Sequence, residues 1–146
     1  MRVTKKSGYG LVAMAELAQN FGNSHLSTKE IAEKYDLPRP FLEKIMRELK
    51  DAELVEVKRG RGGGYQLAEK PKEISVKSVI SVLEENNLAP VNCLLPDNEE
   101  PCPLEKNCPT LDVWEAIYDK FLDVLQSFTL ADLLVYFDES EPAGTR

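Results

Sequence analysis

Cys93, Cys102 and Cys108 are the only three cysteines of the chain and crowd into residues 93–108. Their spacing, Cys93-x8-Cys102-x5-Cys108, is neither the paired CxxC of a zinc site nor the run of a bacterial ferredoxin. An odd number excludes a closed disulfide framework, and clustered thiols in a reducing compartment more often bind metal or sense redox state than form structural bridges. Soft sulfur ligands select iron–sulfur clusters, zinc or copper(I). Spacing alone leaves open a metal centre, a thiol or disulfide switch, and no role at all. The single histidine, His25, lies in a Gly-Asn-Ser loop with no nucleophile or acid patterned around it and reads as a solvated side chain. No catalytic constellation stands out, so the chain does not read as an enzyme.

A second set of candidates is basic. Arg39, Glu43, Lys44 and Arg47 fall on the side of one amphipathic segment left free by Phe41, Ile45 and Leu49. Side chains of these types near the start of a helix can read base edges in a major groove: Arg39 can bond guanine and Glu43 can accept from a cytosine amino group. Arg59 and Arg61 stand on the glycine-rich run Arg59-Gly60-Arg61-Gly62-Gly63-Gly64. That run lacks the ending of a P-loop and the spacing of a dinucleotide fingerprint, and it joins two strands. Two arginines on such a tip suit a narrow minor groove. Thr28, Pro40, Gly62 and Gly63 complete the DNA-facing set; the competing reading of all these positions is a solvated surface.

These side chains need elements to place them. Apolar spacing predicts a first helix from about Lys5 to Phe21, through Tyr9, Met14, Leu17 and Ala18. Ser27 with Glu30 three residues on is a capping box opening a second helix with Ile31, Ala32 and Tyr35 inside. Asp36-Leu37-Pro38 ends it, and Pro40 suits the first turn of a third helix carrying Phe41, Leu42, Ile45, Met46 and Leu49. The period then changes to two over Leu54–Lys58 and Tyr65–Leu67, a hairpin. Helix, helix-turn-helix and hairpin in this order predict a winged helix. A fourth helix starts near Ser75, and residues 88–109 form a Pro-, acid- and Cys-rich loop of a length that is usually functional or disordered.

From Thr110, a plausible N-cap, a long helix carries Val113, Ile117, Phe121, Val124 and Phe128 on one stripe and Trp114, Tyr118, Leu122 and Leu125 on another. So wide an apolar surface calls for two partners: the chain's own winged helix and a second copy of the chain, with the first stripe as dimer interface. The competing reading is a helix sunk within its own domain. A short last helix is expected from Leu130 to Phe137 behind Thr129. The expected fold is mainly α with a small β-hairpin: a winged helix-turn-helix DNA-binding domain over 1–85, a cysteine loop over 86–109, a dimerisation helix and short last helix over 110–137, and a disordered tail over 138–146.

The length of 146 residues and 42% apolar content suit one globular unit, and no apolar run spans a bilayer or forms a signal-peptide core. The expectation is a cytoplasmic protein with no membrane partner. The net charge of −7 conceals a division. Residues 1–72 hold 14 Lys and Arg against 10 Asp and Glu, whereas residues 73–146 hold 4 against 15. A basic first half fits an anionic partner and an acidic second half does not.

The opening Met1–Gly10, the Phe41-Leu42-Glu43-Lys44-Ile45 run, the wing Arg59–Leu67, the Ile74-Ser75-Val76 helix start and Trp114 six residues after the last cysteine together resemble the IscR/NsrR (Rrf-two) family of bacterial transcription regulators. The likeness covers residues 1 to about 135. It implies a homodimer on double-stranded palindromic operators, with the long C-terminal helices crossing between subunits. It also implies that Cys93, Cys102 and Cys108 hold an iron–sulfur cluster, [2Fe-2S] or [4Fe-4S], whose state changes DNA affinity in response to iron–sulfur status, nitric oxide or redox state. Two features depart from the family pattern. The first intercysteine gap is longer than in the better-known members. Leu111 stands where some members place a histidine ligand, and Gly8 where others place an acid. Glu105, Asp112, His25, solvent or a small thiol are the candidates for the fourth ligand. A cluster-free regulator with a thiol switch or zinc site is the runner-up, and a winged-helix protein-interaction module the third reading.

Overall fold

The computed structural model describes residues 3–139. Helix α1, Lys5–Gln19, buries Ala13, Met14, Leu17 and Ala18. It stops two residues short of the expected end: Asn20 closes it and Phe21, outside the helix, stays partly exposed. Ser27 caps the next helix as expected, the Glu30 N–H donating to Ser27 Oγ at 3.1 Å, but the Glu30 carboxylate accepts from the Ser27 hydroxyl, at 3.1 Å, where a full capping box would have it accept from the Ser27 backbone N–H. This cap opens α2, Thr28–Tyr35, which ends on Asp36 in the left-handed region at φ 53°. Helix α3, Arg39–Asp51, carries Pro40 in its first turn, where a missing N–H costs nothing, and buries Leu42, Ile45, Met46 and Leu49.

Strands β1, Val55–Lys58, and β2, Gly64–Leu67, pair antiparallel with Val55 opposite Leu67 and Lys58 opposite Gly64. Sequence periodicity gives no hint of a third short pairing. Leu26, just before α2, exchanges two backbone hydrogen bonds with Tyr65, at 3.0 and 2.7 Å. The wing is thereby tied to the helix-turn-helix.

Helix α4, Val76–Leu83, is capped by Ser75, whose Oγ accepts from the Ser78 N–H. A 3-10 turn at Asn92–Leu94 is the regular element within the long loop. Helix α5, Leu111–Ser127, follows, then α6, Leu130–Glu139. Thr110 occupies the N-cap position of α5 but makes no side-chain cap bond, contrary to the expectation from its residue type. Helix α6 is capped instead by a Thr129–Asp132 exchange, with the Thr129 N–H donating to the Asp132 carboxylate at 2.8 Å. It runs past Phe137 through Asp138 and Glu139, so the tail expected to be disordered from Asp138 starts as helix, and residues 140–146 lie outside the described region.

Two apolar clusters hold the chain together. The larger joins α1, α2, α3, the hairpin and α4, and Leu130 of α6 is fully buried in it. The smaller gathers Val76, Ile80 and Leu88 under Tyr118, Phe121, Leu122 and Leu125 of α5. The α5–α6 junction is stitched to the start of α4 by Val76 N–H to Phe128 C=O at 2.8 Å and Leu130 N–H to Ile74 C=O at 3.0 Å. Buried Glu16 of α1 binds Lys34 at 2.7 Å and the Tyr35 hydroxyl, fixing α2 against α1.

Candidate nucleic-acid interface and thiol loop

Residues 39, 43 and 47 recur at one helical turn and form one stripe on α3. Arg39, Pro40, Glu43, Lys44 and Arg47 are all exposed, as a groove-reading face requires, because the opposite side of α3 is consumed by the core. Thr28 is half-buried at the first turn of α2. Arg39 and Glu43 are not independent: the Arg39 Nε–H donates to the Glu43 carboxylate at 3.0 Å. On the wing, Arg59 and Arg61 are exposed at the tip. Gly62 takes φ +73°. A Cβ on Gly63 would run into the Lys58 and Gly60 carbonyls, so the tight hairpin itself demands glycine there. Burial pushes the Tyr65 hydroxyl pKa up; Arg47 pulls it down, and Glu43 and Asp51 raise it.

The loop brings the three cysteines to one place. Cys93, Cys102 and Cys108 line a single cavity of about 470 Å³ at the foot of α5, together with Glu105 and Leu111. Asp112 and His25 are absent from its walls, which leaves Glu105 as the one proposed fourth donor that shares the cavity. All three thiols are free; Cys93 and Cys102 are exposed and Cys108 is half-buried. Among the described residues, no three Cys, His, Asp or Glu side chains are gathered closely enough to hold a single metal ion. Thiolate donors suit an iron–sulfur cluster and zinc alike. The Thr110 hydroxyl, 3.5 Å from Cys108 Sγ, is the largest influence holding that thiol below the usual cysteine range. The Thr110 and Leu111 backbone groups add to it against desolvation and the Asp112 charge. The hydroxyl expected to cap α5 thus serves the thiol.

Helix α5 divides its apolar surface. Tyr118, Leu122 and Leu125 pack on α4, while Val113, Val124 and Phe128 are exposed and Ile117 is half-buried. Phe121, expected from sequence on the dimer stripe, sits at the boundary and packs against the chain's own Val76, Ile80 and Leu88 cluster. The reason is rotational: Phe121 lies between the two stripes on a 3.6-residue wheel.

The Rrf2 family, described as "Iron-dependent Transcriptional regulator", matches residues 3–136. The chain belongs to the Rrf2 family. A putative HTH-type transcriptional regulator of Synechocystis is 39% identical over 138 residues, covering 94% of this chain and 89% of that protein. The solved structure of CymR, the global cysteine regulator of B. subtilis, superposes with a TM-score of 0.73 at 36% identity, over 93% of this chain and 98% of that one. That of T. potens IscR gives 0.71 at 36% identity, over 98% and 93%. This Rrf2-family chain is therefore a winged-helix transcriptional regulator. No helix among its described residues is long and apolar enough to cross a membrane.

Proposed function

We propose that this Rrf2-family regulator binds a palindromic operator as a homodimer and senses an iron–sulfur, nitric oxide or redox signal at Cys93, Cys102 and Cys108. The observation that carries the sensing part is the single cavity lined by three thiols from one loop. In this reading α3 enters the major groove with Arg39, Pro40, Glu43, Lys44 and Arg47. Arg59 and Arg61 reach the minor groove or phosphates from the wing, with Gly62 and Gly63 shaping its tip and Thr28 at the backbone. The stripe Val113, Ile117, Phe121, Val124 and Phe128 meets its equivalent on a second copy, with half-buried Phe121 also packing on the chain's own core. Cys93, Cys102 and Cys108 would hold the cluster, which would supply a centre open to oxidants and nitric oxide; Glu105 lines the same cavity, as do Glu99 and Glu100, and each is a carboxylate within that wall.

Anaerobic purification with iron and sulfide counting tests this. Visible absorption near roughly 400 nm, lost in each Cys→Ser variant, is the expected result. A colourless protein without iron or sulfide overturns the cluster.

One observation favours a second reading, a cluster-free thiol switch: the three thiols are free and accessible, and Cys108 is biased toward thiolate. Operator binding that falls on oxidation of colourless protein, and no longer does so after Cys108→Ser, supports that reading.

A further inference from the structure

Arg39 opens α3 and Glu43 stands one turn on, both on the exposed stripe that Arg47 continues. The Arg39 Nε–H donates to a Glu43 carboxylate oxygen at 3.0 Å. The side chains are 56% and 47% accessible, so the pair adds little to folding. A carboxylate on a DNA-facing stripe would also repel phosphate unless its charge were matched.

A guanidinium carries five N–H donors, and guanine offers O6 and N7 side by side in the major groove. An arginine can meet them with its Nε edge or with its two terminal nitrogens. In this chain Glu43 occupies Nε, so Nη1 and Nη2 are the end left free to enter the groove. Holding one edge also removes rotamer freedom that a lone arginine would lose on binding.

The geometry points to Arg39 and Glu43 as one base-reading unit: Arg39 grips a guanine, and Glu43 is a positioning residue that aims it, not a separate reader of cytosine. This rests on the DNA-binding reading of α3 and deepens it by naming the base and the pair that selects it.

The test selects full-length protein on a random double-stranded DNA library at about 100 mM salt and reads base preference by sequencing. Wild type enriches a guanine at one position of each half-site. Arg39→Ala erases that preference, a loss of roughly tenfold. Glu43→Ala weakens the same guanine, and Glu43→Gln, whose amide oxygen still accepts from Nε, keeps most of it. The double Ala variant is no worse at that position than Arg39→Ala alone. If Glu43→Ala leaves the guanine intact and relaxes a cytosine at another position, the unit is overturned while DNA binding stands. If wild type enriches no sequence, the DNA-binding reading falls and the pair falls with it. Melting temperatures near wild type, expected at such exposed positions, exclude misfolding as the cause.

Discussion

One oxygen of the Glu84 carboxylate accepts from the Thr4 N–H at 2.8 Å, the Thr4 hydroxyl at 2.6 Å and the Ser7 hydroxyl at 2.7 Å. A residue at the end of α4 thus satisfies the free donors at the start of α1, 80 positions away. Burial pushes the Glu84 pKa up, but these hydrogen bonds and Lys6 outweigh it, and the net shift is below the ordinary 4.5. A depressed folded-state pKa adds stability that is present above 4.5 and is lost as pH falls through the folded value. Glu84→Gln should therefore flatten the acid limb of a melting-temperature profile below 4.5, and Glu84→Ala should cost about 1–2 kcal/mol near neutrality by denaturant titration. Cys108 offers a second check at this scale. Thr110→Val removes the hydroxyl beside its sulfur, so Cys108 alkylation by iodoacetamide, followed by peptide mass spectrometry near neutral pH, should slow while Cys93 and Cys102 keep their rates.

Between residue and molecule, the wing shows how one backbone position governs an element. Gly64 sits at φ +145°, and a Cβ there would collide with the Leu26 carbonyl group and the Ser27 nitrogen. The two hydrogen bonds between Leu26 and Tyr65 cannot form around that clash. Gly64→Ala should release the hairpin from the α1–α2 connection, measured as faster amide exchange at Leu26 and Tyr65 with weaker operator binding. Arg59→Ala and Arg61→Ala probe the same element without disturbing its backbone, since both side chains are exposed. Removing one arginine that binds a phosphate should reduce the slope of log affinity against log salt by about one unit, across all sequences alike. A double variant with the wild-type slope would remove the wing from the interface.

At the scale of the whole molecule, a single chain leaves apolar surface uncovered on α5 and, at Val135 and Tyr136, on α6. Val113 and Val124 are 59% and 55% accessible, far more than helix-borne valines beside a core usually are. Aspartate at either position costs the isolated chain little, but at an interface between two copies it buries an unpaired charge. Wild type is expected at twice the 16.4 kDa chain mass in micromolar light scattering, and Val113→Asp or Val124→Asp near the single mass. Phe121→Asp is the poorer probe because that ring also packs on Ile80 and Leu88. A wild type that stays monomeric would end the two-copy reading. Such a dimer would set the separation of its two α3 helices, which must match half-sites about 34 Å apart.

Residue order alone decides whatever depends on near neighbours. The cap at Ser27, Pro40 in the first turn of α3, the period change at Leu54 and the charge division between the halves are local properties, and each is legible along the chain. Joining distant segments belongs to the fold. The pairing of Leu26 with Tyr65, the grip of Glu84 on Thr4 and Ser7, and the stitching of Ile74 and Val76 to Phe128 and Leu130 carry no periodic signal. Residue type points to Thr110 as a cap, but its hydroxyl lies beside the sulfur of Cys108 two residues back and makes no cap bond. Phe121 packs on Ile80 and Leu88, neighbours that only folding brings beside it. The cysteine spacing likewise leaves three readings open, because an irregular loop has no period from which convergence can be calculated. Only folding gathers Cys93, Cys102, Cys108 and Glu105 around one cavity and leaves Asp112 and His25 off its walls.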